Sequence, residues 1–333
     1  MYAKFYGLDA LAFQLTPDPK FFFGSSEHQR ALAHLTYGLH NAEGFIVITG
    51  EVGAGKTMLV DCLLSQIDPR SFVTAQIVTS QLSGDDLLRM VCSTFGLGDL
   101  SLPKAGLLHR IQEFALAQFA ARRRALLIID EAQNLSFEAL EELRMLSNII
   151  VGKSTGLQSF LLGQPQFRSV LGNPALDQLR QRIMAAYHLG PLNQSDTRAY
   201  IEHRLRCAGW KADPEFVEDS FVSIFQHTNG VPRRINTLCS RVLLFGMLEG
   251  SHTISAEVVE QVAAELAGEL SAITLPTAAP VTPAASQKLL PIEAVQRRLD
   301  NLERTTASHD QIIRRMIGIM SAYLADGGTD ESH

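Results

Sequence analysis

Through the first 190 residues, short apolar runs of strand length alternate with longer stretches of helical periodicity. In the helical stretches, apolar side chains recur every three or four residues, as on one face of an amphipathic helix. The predicted strands are 45–49, 72–78, 126–129, 157–162 and 185–189, and the predicted helices begin near 26 and then cover 57–66, 84–96, 104–121 and 136–150. This alternation predicts βαβ units, and therefore a parallel sheet flanked by helices.

From about residue 193 the strand-like runs disappear and only helical periodicity remains. Four helices are predicted, at 194–208, 214–227, 232–249 and 255–268. We therefore predict an α/β domain over 44–192 and a small all-helical domain over 193–268, preceded by an N-terminal segment, 1–43.

The C-terminal residues follow two further patterns. Residues 269–291 are rich in Pro, Ala, Thr and Ser, a composition that cannot bury a core and that predicts an extended linker. Over 292–325, eight of the ten positions at heptad spacing are apolar, and Thr306 and His309 occupy the other two. The pattern fits either a coiled coil or a lone amphipathic helix that docks on the rest of the chain, and both interpretations stay open.

Composition places the chain among globular proteins, since 46% of its 333 residues are hydrophobic and 19% are charged. The formal net charge of −6 argues against a protein that coats nucleic acid or anionic lipid by charge alone. No apolar run reaches the length of a membrane span, and the N-terminus lacks the features of a signal peptide. The four cysteines lie far apart, without zinc spacing. These features predict a cytoplasmic protein.

The strongest chemical signal is GEVGAGKT, Gly50–Thr57, which fits the phosphate-loop pattern G-x-x-x-x-G-K-[ST]. It follows a predicted strand and precedes a predicted helix, which is the context that this motif requires. Its glycines let backbone N–H groups face phosphate oxygens, Lys56 reaches the β- and γ-phosphates, and Thr57 ligates Mg²⁺. The sequence thus predicts ATP and Mg²⁺ as cofactors. The predicted nucleotide contacts are Gly50, Glu51, Val52, Gly53, Ala54, Gly55, Lys56, Thr57, Met58 and, from a later motif, Arg233.

A second acidic signal ends the predicted strand 126–129, where Asp130 and Glu131 follow four apolar residues. Carboxylates at the C-terminal end of a parallel strand lie on the same edge of the sheet as the phosphate loop. We predict that Asp130 supports Mg²⁺ and that Glu131 activates the attacking water, so that the protein is an ATPase.

With two further segments, residues 20–268 resemble an AAA+ ATPase, in which a P-loop NTPase sheet carries an all-helical lid. The strand after the acidic pair ends in Gly-Gln-Pro, and the resemblance makes Gln164 the first sensor, a polar group near the γ-phosphate. The segment 230–236, GVPRRIN, resembles the second sensor motif of the lid. It implies that Arg233, or the adjacent Arg234, reaches the phosphates as the lid closes.

Between these segments, 179–183 reads LRQRI and precedes the last predicted strand. The resemblance implies an arginine finger here, supplied to the nucleotide of a neighbouring subunit, with Arg182 as the predicted finger and Arg180 as the alternative. A finger that acts in trans implies a homo-oligomer, such as a ring. Family members often carry a switch Asn after the second strand, but 78–81 reads Val-Thr-Ser-Gln, so no switch residue is assigned.

The segments TPDPKFFFGSSEH, IIDEAQNL and NGVPRRIN bring the chain closer to the ExeA/GspA group of secretion ATPases, and within it to the ATPases of exosortase (PEP-CTERM) and exopolysaccharide loci. The resemblance implies that the segment before the phosphate loop packs around adenine, with Phe23, Gly24 and His28 as base contacts. ExeA/GspA proteins continue into a transmembrane helix and a peptidoglycan-binding domain. Neither is found in this sequence, so the exosortase-associated subgroup is the better expectation.

Three functions follow from these patterns. The resemblance favours an ATPase of envelope secretion or polysaccharide export, held at the inner membrane by a partner that binds 292–325. A DNA-binding transposition regulator of the MuB/TniB type is the alternative. Such a protein needs a basic surface, and the densest basic cluster in this sequence is only Arg122–Arg124. The third is a scaffold whose coiled coil recruits a partner. The predicted catalytic residues of the ATPase are Glu131, Gln164, Arg182 and Arg233.

Overall fold

A computed structural model describes residues 2–41, 44–78, 82–98, 100–152 and 154–273. The predicted helix 292–325 and the part of the predicted linker beyond Ile273 lie outside the described residues. Residues 79–81, in the segment where family members often carry a switch Asn, also lie outside them. Among the helices that the structure does describe, none is long and apolar enough to cross a membrane.

The structure alternates strands and helices up to about residue 190 and is mainly helical afterwards. The strands are β1 (Phe45–Gly50), β2 (Phe72–Val78), β3 (Arg124–Asp130), β4 (Ile150–Val151), β5 (Ser154–Thr155), β6 (Leu157–Gly163), β7 (Ile183–Leu189), β8 (Glu215–Phe216) and β9 (Thr253–Ile254). The helices are α1 (Tyr2–Phe5), α2 (Ser26–Asn41), α3 (Lys56–Gln66), α4 (Gly84–Thr94), α5 (Lys104–Ala120), α6 (Phe137–Leu146), α7 (Gln166–Leu171), α8 (Asp177–Arg180), α9 (Gln194–Cys207), α10 (Glu218–Thr228), α11 (Pro232–Leu248) and α12 (Ala256–Ile273).

The main sheet has five parallel strands in the order β2-β3-β6-β1-β7, which confirms the predicted parallel sheet. Strand β6 lies between β1, which leads into the phosphate loop, and β3, which leads into the acidic pair. Thr49 of β1 pairs with Gly163 of β6, and Ile129 of β3 pairs with Leu161. The C-terminal ends of these three strands therefore meet at one edge of the sheet, which positions the site.

Both faces of the sheet are covered, as its continuous apolar strands require. Helices α4, α5 and α6 pack on one face, and α2 and α3 pack on the other. Local capping fixes where two of these helices begin, since Ser83 and Ser136 each accept a hydrogen bond from a backbone N–H in the first turn of α4 and α6.

The helices α9 to α12 enclose a second core, which also takes in the beginning of the chain. Tyr2, Tyr6, Phe13 and Phe21 are buried in this helical core, whereas α2 packs on the sheet. The predicted N-terminal segment is therefore divided between the two cores.

Several elements begin or end where periodicity did not predict. Helix α6 ends at Leu146 because β4 and β5 form a short antiparallel hairpin immediately afterwards. Helix α10 begins at Glu218 because 215–216 pair with 253–254 as the two-residue strands β8 and β9. Helix α12 continues to Ile273, past its predicted end at 268. The short helices α1, α7 and α8 carry too few turns for a periodic signal.

Candidate functional site

The phosphate loop connects the buried end of β1 to the first turn of α3. Gly53 has φ +83° and Gly55 has φ +98°, angles at which any side chain would be strained. Helix α3 begins directly after Gly55, so the N–H groups of its first turn have no partner within the helix. These groups and the positive end of the helix dipole form an anion site at the C-terminal edge of the sheet.

Lys56 is held by the loop itself. Its Nζ donates hydrogen bonds to the carbonyl oxygens of Gly50 at 2.9 Å and Glu51 at 3.1 Å. Burial lowers the pKa of Lys56, and the carboxylates of Glu131, Asp130 and Glu51 oppose that shift. A buried ammonium beside three carboxylates therefore keeps a positive charge where phosphate oxygens would bind.

The Thr57 hydroxyl donates a hydrogen bond of 2.6 Å to Oδ2 of Asp130. Burial, together with the negative charge of the nearby Asp130, raises the pKa of Asp61. Hydroxyl and carboxylate oxygens are ligands that Mg²⁺ accepts, usually one or two from the protein beside substrate phosphates. The Thr57–Asp130 pair fits Mg²⁺ on these grounds, and the metal role of these two residues stays a prediction.

Glu131 stands on a strained backbone between β3 and a short helical turn, with φ +55° and ψ +41°. Its Oε2 accepts hydrogen bonds from the amide of Gln133 and from Nε2 of Gln164 at 3.0 Å. Burial raises the pKa of Glu131, but these two hydrogen bonds and the charge of Lys56 outweigh it and hold the pKa below its ordinary value. The carboxylate is therefore ionised and oriented at neutral pH.

The predicted second sensor also reaches the loop. The backbone N–H of Arg233, at the start of α11, donates a hydrogen bond of 3.2 Å to the carbonyl oxygen of Gly53. A Cβ on Gly53 would lie 2.2 Å from the Cβ of Arg233, so the two backbones approach as closely as a glycine allows. Helix α11 therefore rests on the phosphate loop, and Arg233 lines the cavity above it.

That cavity has a volume of about 350 Å³, within the range of small-ligand sites. The phosphate loop, Glu131, the N-terminal segment and the helical part all contribute to its wall. The lining residues are Gln14, Leu15, Thr16, Pro17, Asp18, Val52, Gly53, Gly55, Lys56, Thr57, Met58, Glu131, Tyr200, Arg204, Pro232, Arg233 and Asn236.

A buried polar network supports the wall opposite the loop. The guanidinium of Arg204 donates hydrogen bonds to the carbonyl oxygens of Ala12 at 2.6 Å and Gln14 at 3.2 Å. It also donates to the Tyr200 hydroxyl at 3.1 Å, and that hydroxyl donates to Oδ1 of Asn236 at 2.8 Å. Because a buried charge is stable only when its hydrogen bonds are satisfied, this network fixes the N-terminal segment against α9 and α11.

The three residues predicted to contact the base do not line this cavity. Phe23 packs in the helical core with its ring centroid 5.9 Å from that of Tyr200. His28 is buried beneath the loop, where Nδ1 lies 2.7 Å from the Ser25 hydroxyl, and where a Cβ on Gly55 would lie 2.9 Å from Nε2. Gly24 connects these two positions, and none of the three lines the cavity. The part of the N-terminal segment that does so is 14–18.

The remaining predicted contacts divide between the cavity and its surroundings. Val52 and Met58 line the cavity, whereas the side chain of Ala54, within the loop, is buried. Glu51 faces a neighbouring groove that also takes in Arg234.

The two candidate arginine fingers differ in their contacts. Nη1 of Arg182 donates a hydrogen bond of 2.9 Å to the buried hydroxyl of Ser147, and its backbone carbonyl accepts from Phe45. Arg180 is half exposed and pairs with Asp177 on the same helix at 2.7 Å. An exposed ion pair is weak and readily exchanged, so Arg180 is the more accessible of the two.

Sequence reasoning missed Gln133, the segment 14–18 and the network of Tyr200, Arg204 and Asn236. For Gln133 a local signal existed, since it follows Asp130-Glu131 within the same short motif. For Asn236 the signal was helical spacing, because it lies one turn after Arg233 on α11.

Comparison with known proteins gives a consistent picture. Residues 39–171 match a family model described as an AAA domain. Over 269 residues the chain is 39% identical to the general secretion pathway protein A of Aeromonas hydrophila, a match that covers 80% of this chain and 49% of the relative. The chain thus spans about half the length of that relative.

Two solved structures are similar in fold. The ORC2 protein of Aeropyrum pernix, solved with ADPNP and ADP, gives a TM-score of 0.60 at 17% identity and covers 80% of this chain and 75% of its own. The Cdc6p protein of Pyrobaculum aerophilum gives a TM-score of 0.60 at 16% identity, with coverage of 78% and 75%. Identities this low establish the fold alone.

Proposed function

The chain has the AAA+ fold of the P-loop NTPases, and on that premise we propose that it binds ATP with Mg²⁺ and hydrolyses it to ADP and phosphate. The observation that carries the proposal is a convergence at one edge of the sheet. Lys56, the Thr57–Asp130 pair and the oriented carboxylate of Glu131 surround or adjoin a single cavity. This is the set of groups that phosphoryl transfer to water requires.

In the proposed reaction the first turn of α3 and Lys56 hold the β- and γ-phosphates. Glu131 accepts a proton from water while the water oxygen bonds to the γ-phosphorus and the bond to the β–γ bridging oxygen breaks. The products are ADP and inorganic phosphate. Mg²⁺, when bound by Thr57 and Asp130, would neutralise the charge on the phosphates. The lowered pKa of Glu131 keeps this base ionised at neutral pH.

Two sensors complete the proposed site. Nε2 of Gln164 donates a hydrogen bond of 3.0 Å to the carboxylate of Glu131. A γ-phosphate bound beside Glu131 would compete for this donor, so Gln164 would respond to its presence. Arg233 brings a guanidinium to the cavity from the helical part, and its backbone already touches the loop. Bound nucleotide would thereby link the helical part to the sheet.

Two substitutions test the proposed reaction. Lys56→Ala should abolish ATP binding measured by titration calorimetry, because the loop loses its cation. Glu131→Gln should bind ATP as the wild type does, yet lose about 100-fold or more in turnover, because an amide cannot accept the proton. Lys211→Ala, which alters an exposed lysine, is the matched control. Wild-type turnover in both site variants would refute the proposed assignment.

For the cellular role, we propose an ATPase that supports envelope secretion, and more narrowly exopolysaccharide or PEP-CTERM surface assembly at an exosortase locus. The support is the 39% identity with a secretion pathway protein, together with the sequence segments described above. The ATPase would act in the cytoplasm as a homo-oligomer, such as a ring, held near the inner membrane by an envelope partner that binds 292–325.

A genetic experiment tests this role. Deletion of the gene should reduce surface polysaccharide or sorted surface protein, and wild-type protein should restore it, whereas Lys56→Ala should not. A gene neighbourhood with an exosortase or polysaccharide-export gene would agree with the proposal. A neighbouring transposase gene, with normal surface assembly in the deletion strain, would overturn it.

The basic cluster that would support the DNA-binding alternative is partly engaged in internal contacts. In the cluster Arg122–Arg124, the guanidinium of Arg124 donates to the carbonyl oxygen of Leu39 at 2.7 Å and to Oε1 of Gln158 at 2.9 Å. This guanidinium is thus committed to internal contacts, and the cluster offers fewer cations than its sequence implies. A salt-dependent DNA mobility shift with ATP would revive the alternative.

A further inference from the structure

Gln133 joins the proposed base to the proposed first sensor. Its Nε2 donates a hydrogen bond to Oε2 of Glu131, and its Oε1 accepts one of 2.9 Å from the backbone N–H of Gln164. The side chain of Gln164 completes a ring of hydrogen bonds, since its own Nε2 donates to the same carboxylate oxygen of Glu131 at 3.0 Å. The three residues lie in the segments that directly follow the neighbouring strands β3 and β6.

The orientation of the Gln133 amide follows from its partners. A backbone N–H can only donate, so the group that faces Gln164 must be the amide oxygen. The NH₂ group is then left for Glu131, which as a carboxylate can only accept. One orientation satisfies both partners and the opposite one satisfies neither, so the side chain is fixed by both ends.

Glu131 needs such support. Its φ of +55° places it in the left-handed region, which costs a residue with a side chain free energy and persists only where surrounding contacts hold it. Gln133 follows two residues later, in the three-residue helical turn 132–134. It is half-buried, and unlike Glu131 it does not line the cavity.

We propose that Gln133 is a positioning residue for hydrolysis, which keeps the Glu131 carboxylate aimed into the cavity and couples it to the backbone of the sensor loop at Gln164. The inference rests on the proposed ATPase activity. When the side chain of Gln164 turns toward a γ-phosphate, Glu131 loses one of its two amide donors. Gln133 retains the other and, through its oxygen, keeps the sensor loop in contact with the base.

Three variants test this role. Gln133→Ala removes both hydrogen bonds. Gln133→Glu keeps an acceptor for the backbone N–H of Gln164 but replaces the donor to Glu131 with a second carboxylate. Gln166→Ala changes an exposed glutamine close by and is the matched control. Turnover, the KM for ATP and the affinity for ATP are measured for each purified full-length protein, with thermal unfolding to compare folded fractions.

We expect kcat to fall about 10-fold or more in Gln133→Ala, since a hydrogen bond to a charged group is lost. The fall should be larger in Gln133→Glu, because two carboxylates then share the position. KM and ATP affinity should change less than about threefold in both, since the residue lies outside the cavity. The control should match the wild type.

The possible outcomes distinguish a failure of the role proposed for Gln133 from a failure of the proposed ATPase function. An active wild type with unchanged kcat in Gln133→Ala would overturn the role of Gln133 and leave the ATPase assignment standing. Equal losses of kcat and ATP affinity would assign Gln133 a merely structural role and would also overturn it. A wild type that binds ATP but never hydrolyses it would refute the proposed function, and the positioning role with it.

Discussion

The backbone N–H of Arg233 lies 3.2 Å from the carbonyl oxygen of Gly53 and donates a hydrogen bond to it. Helix α11 therefore contacts the phosphate loop through main-chain atoms, and a substitution such as Arg233→Ala leaves that contact in place. The contact of α11 with the loop and the charge that α11 brings to the cavity can therefore be altered separately.

The main-chain contact is tested at Gly53. Gly53→Ala should lower ATP affinity strongly and destabilise the fold, because the new Cβ would lie 2.2 Å from the Cβ of Arg233 at φ +83°. Gly98→Ala is the control, because Gly98 has nearly the same backbone angle, φ +84°, and open space where a Cβ would stand. It therefore introduces the backbone strain without a clash against another residue. Equal effects of the two substitutions on ATP affinity would show that the contact is unimportant.

The charge of Arg233 is tested by Arg233→Ala, which leaves the backbone contact in place. We expect ATP affinity to fall about 10-fold, as for loss of a charge-assisted hydrogen bond, with a smaller effect on ADP. Arg234→Ala alters the adjacent arginine, which faces a neighbouring groove, and should retain wild-type affinity. The reverse result would transfer the sensor role to Arg234.

The choice between the arginine fingers is tested by mixing subunits. Arg180→Ala should fold normally and lose turnover, because this half-exposed side chain is available to a neighbouring subunit. Mixing it with Lys56→Ala should restore part of the activity, since one partner supplies an intact loop and the other the finger. Arg182→Ala should instead lower the melting temperature, because it removes the hydrogen bond to Ser147. No restoration on mixing would argue against action in trans by Arg180.

Acid should destabilise the protein through His28. Burial lowers the pKa of His28 below 6.5, while a hydrogen bond to the Ala54 backbone and the nearby Asp196 and Glu27 partly oppose the shift. The unfolded chain then binds this proton more readily, so stability falls as the pH drops below 6.5, by at most about 1.4 kcal/mol per pH unit. Denaturant unfolding at pH 7.5 and 5.5 should show a smaller loss in His28→Gln. An identical loss would assign the acid sensitivity to other groups.

The network behind the cavity is tested by Tyr200→Phe. The substitution removes the hydroxyl that joins Arg204 to Asn236 and leaves both buried groups short of a partner. The free energy of unfolding should fall by about 1–3 kcal/mol, and the KM for ATP should rise because the cavity wall loosens. Tyr37→Phe, on an exposed tyrosine, is the control for urea denaturation. Unchanged stability in Tyr200→Phe would mean that the hydrogen bonds of this hydroxyl do not stabilise the fold.

Features formed by consecutive residues could be predicted from the sequence. The phosphate loop is a run of consecutive residues, so its position between β1 and α3 agrees with the prediction. Strand β2 has the predicted bounds, Phe72–Val78, because turn residues delimit its apolar run.

Strand order, by contrast, cannot be derived from periodicity. The contact between Gln164 and Glu131, 33 residues apart, exists because β6 lies between β1 and β3. Arg204 meets Ala12 across 192 residues, and no local pattern relates them. Phe23, predicted as a base contact, packs against the helical core, and His28 lies under the loop, and no local pattern in the sequence indicates either direction.

The division of the N-terminal segment between two cores has a mechanical consequence. The chain passes from the helical core to the sheet near Gly24 and Ser25, and returns near Gly190 and Pro191. The backbone therefore connects the helical core to the sheet at two places, in addition to the hydrogen bond from Arg233 to Gly53. If ATP binding shifts one core relative to the other, the distance between probes on exposed Leu11 and exposed Tyr37 should change.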